Sequence, residues 1–301
     1  RPAGFPVDVG RGGPPAGPGG PDARRRPGFT LVELLVAISV LAVLVGILLP
    51  ALGAATTTAR RTQEMAAARD LMAAWHLYAD DHEGRVLPGY KSGLDAYDLD
   101  GTYLTDGADA ILARRYVFRI LPYLGRDLRF LYTGEREQII EDLEQTTGDS
   151  FNYFVSLAPS LGINATWVGG DENELGFDPE LQSIFGNFVV TRRTQVRKPS
   201  RLLVFASARG EDFVTNSGVV EGHFRVRSPV LLESAGSRWT DAYRSSTPPE
   251  GLGFCSPRFH GKAVAAFVDG HVGVLSEPAL RDMRFWSNEA ERTDAGLVPR
   301  D

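Results

Sequence analysis

Cysteine is almost absent: Cys255 is the single one in 301 residues. One cysteine excludes an intrachain disulfide and a multi-cysteine zinc site, and it does not identify the compartment. Negative charge outnumbers positive outside the N-terminus. The chain carries 32 Lys and Arg against 38 Asp and Glu, a formal charge of −6. Residues 1–28 hold five Arg and two Asp, for +3, so the remainder carries −9. An acidic body excludes general nucleic-acid binding, where clustered positive charge supplies most of the affinity. Charge is nearly missing from residues 29–49, where Glu33 is the single charged side chain in 21 residues.

Such a run is long enough to span a bilayer, because a helix of that length covers ~30 Å. A carboxylate inside a membrane-length segment costs several kcal/mol and is normally kept for a partner. The basic stretch before the run and the acidic body after it predict a single pass, N-terminus inside and body outside. Residues 1–27, rich in Pro, Gly and Arg, have little to bury and are expected to be disordered. The first residue is Arg, so the sequence reads as a fragment or as one with a misplaced start.

The opening Gly28-Phe29-Thr30-Leu31-Val32-Glu33-Leu34, after a basic tract, resembles the N-terminal segment of type IV prepilins and type II secretion pseudopilins. The resemblance implies cleavage between Gly28 and Phe29 by a prepilin peptidase, and methylation of the new Phe29 amine. Glu33 then becomes the fifth residue of the mature chain, where it pairs with the terminal ammonium of a neighbouring subunit. Two other readings fit the apolar run. An ordinary secretory signal would have a core of ~7–15 residues and a small-residue cleavage site, which Ala51-Leu52-Gly53-Ala54-Ala55 could mimic. A plain anchor would fit the length but would not require Glu33.

Pro50 follows the run, so a kink or melted turn is expected near residues 46–50. A helical period then resumes. Met65, Ala68, Met72, Trp75 and Ala79 recur at spacings of 3, 4, 3 and 4, flanked by Leu71 and Tyr78. Arg60, Arg61, Glu64, Arg69 and Asp70 are assigned to the other faces of this amphipathic helix. It should end by Gly84, before Pro88-Gly89. His76 and His82, six apart on different faces, read as surface or capping residues. The stretch Leu71–Pro88 also resembles the prepilin family.

Residues 90–200 are the least readable. Ala110 to Leu121 looks like a short helix stopped by Pro122. Asp98-Leu99-Asp100-Gly101 resembles part of a calcium loop, but Ala96 stands at the first ligand position and no Glu at the twelfth. Asp171, Glu172 and Asp178 are weak calcium candidates in a second acidic loop. The resemblance to major pseudopilins, which carry calcium in a body loop, keeps that ion open; otherwise no cofactor is expected. Arg192, Arg193, Arg197, Lys198 and Arg201 form a basic cluster that reads first as a solvated face, then as a subunit contact, with an anionic surface or DNA as the remaining alternatives.

From residue 201 the period changes to strands. Leu202–Phe205 and His223–Val226 are short runs. Residues 263–268 and 271–275 are joined by Asp269-Gly270, a strong two-residue turn signal that predicts a hairpin with a type I′ turn. His260, Asp269 and His271 invite a catalytic or metal reading, yet an extended strand would separate His260 from the turn by ~20 Å. Turn chemistry explains Asp269-Gly270 without a site. Arg258-Phe259-His260-Gly261 and Phe267–Val272 resemble a C-terminal module of prepilin-like proteins defined by a His, nine residues and Asp-Gly. Here eight residues separate His260 from Asp269.

The expected architecture is α+β and pilin-like: a long N-terminal helix, transmembrane in its first half, packed on a mainly antiparallel sheet. Its parts are a leader (1–28), a membrane or fibre-core helix (29–50), an amphipathic continuation (51–84) and a body (85–301) with the hairpin 263–275. The expected role is a structural subunit of a pilus or secretion pseudopilus, not an enzyme. Its expected partners are homologous subunits, the prepilin peptidase, an inner-membrane assembly platform and the lipid bilayer. It would wait in the inner membrane and then join an extracytoplasmic filament. The alternatives are a membrane-anchored binding protein that uses the leader for targeting, and an anchored hydrolase. A body of over 200 residues leans towards a minor or specialised subunit.

Overall fold

A computed structural model describes residues 30–104, 109–134, 140, 150–211, 218–244 and 246–300. The chain divides into two units, one ending at Leu52 and the other beginning at Gly53. Helix α1 (Leu31–Asp81) contributes to both. The leader and the Gly28–Phe29 junction lie outside the described residues.

The described part of the N-terminal unit, from residue 30, is apolar helix exposed along its length. Leu31, Ile47 and Leu48 are 81%, 70% and 64% exposed. Mean hydropathy reaches 2.9 over its most apolar window, and the helix is long enough to cross a membrane. The melted turn expected near Pro50 is not formed, because helix continues through that residue. Proline forfeits one backbone hydrogen bond there, and the surrounding turns carry the helix past it.

In the second unit α1 buries Ala67, Ala68, Leu71, Met72, Ala74, Trp75, Tyr78 and Ala79. This is the predicted stripe, with Met65 partly buried at its edge. Each large side chain buried there contributes ~1.5–3 kcal/mol. The helix ends as Glu83 and Gly84 turn left-handed, at φ +57° and +79°, and the Gly84 amide closes back onto the Ala79 carbonyl at 2.7 Å.

The segment expected as one helix from Ala110 to Leu121 is two, α2 (Asp109–Arg114) and α3 (Tyr116–Ile120), followed by a 3-10 turn through Pro122. Arg115 breaks the run with extended backbone, φ −82° and ψ 147°. Its guanidinium is drawn inward to the Ser156 hydroxyl at 2.6 Å and the Tyr153 carbonyl at 3.1 Å, both on helix α4 (Phe151–Leu157).

The main sheet joins β1 (Leu161–Asn164), β2 (Leu203–Ser207), β5 (Arg225–Val226), β6 (Lys262–Phe267) and β7 (Val272–Ser276) in the order β5-β1-β2-β6-β7. All its pairs are antiparallel except β1 with β5. A small hairpin pairs β3 (Arg209–Glu211) with β4 (Val219–Glu221). Strands β1, β2 and β6 are buried on both faces, apart from Lys262, which explains the unbroken apolar run of β6, while β7 at the edge is half-buried. Val264, Ala266 and Val268 pack towards Leu71 and Trp75 of α1. Ala263, Ala265 and Phe267 pack with Leu280, Met283 and Trp286.

A register shift lies between Leu203 and Phe205 of β2. Leu203 and Ala206 belong to the far core, whereas the adjacent Val204 and Phe205 both belong to the helix-side core. The irregularity interrupts the alternation of faces and leaves Ser207 on the helix side.

Candidate functional site

Helix α1 begins at a reciprocal cap. The Thr30 amide and hydroxyl donate to Glu33 Oε2 at 2.9 and 2.7 Å, and the Glu33 amide donates to Thr30 Oγ1 at 3.2 Å. This is a capping box, Thr-x-x-Glu, which satisfies first-turn donors that have no partner within the helix. Both residues are exposed. Glu33 therefore has an intramolecular partner at the start of the apolar helix and stays open on its outer side. The spacing of Thr30 and Glu33 was visible in the sequence, but Thr30's part in holding the carboxylate was not read from it.

A second polar constellation lies within the body, and the sequence reading missed it. Glu64, assigned above to a face other than the apolar stripe, is 2% exposed. It stands seven and fourteen residues before Leu71 and Tyr78, on the same side of the helix. Arg258 binds its carboxylate from Nε at 3.1 Å and from Nη2, and the Ser207 hydroxyl binds the other oxygen. Arg258 also donates to the Ala208 carbonyl at 2.8 Å and the Ser160 carbonyl at 3.2 Å. One arginine thus ties the helix to the segments at the ends of β1 and β2.

The hairpin forms, from Lys262 to Ser276, but not with a type I′ turn. Gly270 has φ +88°, and Asp269 is not in the left-handed region. The Gly270 amide donates to the Phe267 carbonyl at 2.8 Å, and the Phe267 amide to the His271 carbonyl at 3.1 Å. The loop is therefore three residues, 268–270, with glycine alone left-handed. Asp269 is held by its own amide, which donates to the Pro199 carbonyl at 3.2 Å, while its carboxylate accepts the His271 amide at 3.1 Å.

Of the His260, Asp269 and His271 set, the structure brings two together. His271 Nδ1 meets Asp269 Oδ1 at 2.6 Å, and its ring stacks on Phe267 with centroids 4.2 Å apart. His260 is exposed at the other end of β6, with φ +53°. His82 donates from Nδ1 to the Tyr78 carbonyl at 2.7 Å, a capping contact at the helix end. His76 is half-buried against the hairpin loop, its Nε2 3.9 Å from where a Cβ on Gly270 would lie.

The calcium candidates are engaged elsewhere. Asp171 is fully buried and binds Arg225 at 2.6 Å. Burial raises its carboxyl above the usual range, against the pull of Arg225. Glu172 accepts from the Ser92 amide and hydroxyl at 2.9 and 2.8 Å. Asp178 caps helix α5 (Pro179–Phe185) through the Glu180 amide at 2.9 Å. Among the described residues no group of three His, Cys, Asp or Glu is placed to hold a metal.

The basic cluster is largely neutralised within the chain. Arg193 pairs with Asp80, Arg197 with Glu289 at 2.6 Å, and Lys198 with Glu291 at 3.0 Å. Arg192 donates to the Glu83 carbonyl at 2.8 Å. Arg201 lies over the Phe285 ring, 5.6 Å from its centroid.

A family model described as the prokaryotic N-terminal methylation motif matches residues 23–49. No curated protein and no solved structure matches the chain. The matched segment ends within the uncovered apolar helix and includes both members of its cap. Residues 23–49 are thus a prepilin-type N-terminal cleavage and methylation segment, of the kind found in the type IV pilin and pseudopilin class.

Proposed function

We propose that the chain is a structural subunit of a type IV pilus-like or type II secretion pseudopilus filament. The observation that carries this reading is the uncovered apolar helix with a single carboxylate at its first turn. Cleavage between Gly28 and Phe29 would leave a free amine four residues before Glu33. In the membrane Thr30 holds the carboxylate. In a fibre the outer side of Glu33 accepts the ammonium of a neighbour, and a low-dielectric setting strengthens that attraction. Ala37, Ser39, Ala42 and Gly46 let neighbouring helices approach closely. Ser39 is compatible with an apolar surrounding, because its hydroxyl donates back to the Leu35 carbonyl at 2.8 Å.

On this reading the N-terminus lies inside and the body outside, and the chain meets the prepilin peptidase, an assembly platform and other subunits. On the same reading its role is structural rather than catalytic. The test is Glu33→Ala in the native host. It should leave a folded, membrane-held chain and abolish its recovery in sheared fibres. Incorporation equal to the wild type would overturn the assembly role.

A further inference from the structure

The main sheet ends differently on its two sides. At the β5 edge the outward groups are used. The Arg225 carbonyl, which points away from β1, accepts from His223 at 2.7 Å, and the Arg227 amide donates to the Gly253 carbonyl at 2.8 Å. At the β7 edge they are not. The ladder to β6 uses residues 271, 273, 275 and 277, so the amides and carbonyls of Val272 and Val274 point outward. They have no partner among the described residues. Val-Gly-Val-Leu-Ser holds no charge, proline or bulge of the kind that guards an edge. No atom lies within 4 Å of where a Cβ on Gly273 would stand, so one face of the strand is bare at mid-length.

Strand β4 offers a second open edge. It bonds to β3 through Val220, and the Gly222 amide donates to the Ala208 carbonyl at 2.7 Å, so Val219 and Glu221 turn their backbone groups outward. Direction decides how these edges can meet. Along α1, Glu64 meets Ser207 and Arg258, and His76 meets the loop that follows β6. The body half of α1 therefore runs in the sense of β6, and β7 runs against it. Strand β3 continues β2 through the Ala208–Cys255 bridge, so β4, antiparallel to β3, runs in the sense of β6. Pairing β7 with β7 of a second copy about a two-fold axis would reverse one α1 against the other, which two chains anchored in one membrane do not allow. Pairing β7 with β4 of a copy that keeps its direction is antiparallel and leaves the helices parallel.

We propose that the open edge of β7 is filled by β4 of the next copy of this chain, a body contact that rests on the filament reading above. Such a contact joins two different surfaces and does not close, so it repeats along a fibre. Charge sets its register. With Ser276 opposite Val219 of the next copy, Glu221 of that copy falls beside Val274, on the face that carries Lys262. Lys262 is exposed and has no ion pair among the described residues, and Glu221 is half-exposed, 3.8 Å from Arg258. The two place opposite charges across the seam. The pairing needs little affinity of its own, because helix packing already holds the copies side by side at high effective concentration.

The experiment is disulfide trapping in fibres. Full chains carrying Val274→Cys or Glu221→Cys are expressed together in the native host, and sheared fibres are oxidised with copper phenanthroline. A linked dimer is expected on non-reducing gels, absent when either variant is expressed alone. Fibres that contain both variants without that band, or a band from Val274→Cys alone, overturn the contact and leave the filament reading standing. Failure to recover fibres of the wild-type chain strikes the filament reading, and the contact with it. Val274→Pro is the second variant, because it removes an outward amide and spares the ladder to β6. It should be depleted from fibres roughly tenfold, with Cys255 in the membrane fraction still closed to maleimide. Its incorporation at the wild-type level overturns the proposal.

Discussion

Arg258 and Glu64, 194 residues apart in the chain, form a buried ion pair with the Arg258 Nε 3.1 Å from the carboxylate. The pair fastens the amphipathic half of α1 to the segment that leads into β6. The Ser207 hydroxyl completes it, accepting the Val264 amide at 2.7 Å while donating to Glu64. A buried pair of this kind is not by itself a large source of stability, because desolvating both charges offsets their attraction. Breaking it is costly, because one charge is left buried alone.

Arg258→Met should therefore destabilise the chain by ~3–5 kcal/mol, whereas Glu64→Leu with Arg258→Met should recover most of that loss. Urea unfolding of the single and double variants measures both. Additive losses in the double variant would contradict a mutual pair.

The cap at the start of α1 predicts a local effect. Thr30→Ala removes the hydroxyl that both donates to and accepts from Glu33, at a cost of ~1 kcal/mol to the first turn. Amide exchange at Val32 and Glu33 should quicken, while exchange at Leu71 and Trp75 in the body stays as in the wild type.

Acid stability should carry a histidine signature. Burial pushes the His223 imidazole down to about 3, and its Nδ1 donates to the Arg225 carbonyl at 2.7 Å. His76 is lowered too, first by burial and then by Arg193. Above the unfolded value of ~6.5 both states leave these rings neutral, so they add no pH dependence. Below it the unfolded chain binds protons that the folded chain refuses. Stability should fall as pH drops from ~6.5 towards 3, by up to ~1.4 kcal/mol per unit for His223. His223→Phe should remove that part of the slope in urea titrations at successive pH values.

Cys255 offers a probe of opening. It is fully buried, and burial pushes its thiol well above the ordinary range. Because the thiolate is the reacting form, maleimide should label the native chain only at the rate at which the body unfolds. Fast labelling of the native chain would contradict the packing of Cys255 in the far core.

The long helix was legible because its apolar stripe follows the 3.6-residue period, and the hairpin because two apolar runs flank Asp269-Gly270. The turn type was misread because the Pro199 carbonyl and the Asp269 carboxylate settle the loop, and only the first lies outside the hairpin. Strand β1, Leu-Gly-Ile-Asn, is buried on both sides and has no alternation to betray it. Glu64 was assigned away from the apolar stripe because a carboxylate on a helix is usually wet. Its heptad relation to Leu71 and Tyr78 pointed inward, but the partner that makes burial tolerable is Arg258, remote in sequence.

The central claim is that residues 1–28 are removed and Phe29 becomes a methylated terminus beside Glu33. Mass spectrometry of the N-terminal peptide from the membrane fraction of the native host tests it directly. The account predicts N-methylated Phe29 as the first residue. A terminus within residues 1–28, or one near Ala54, would contradict it.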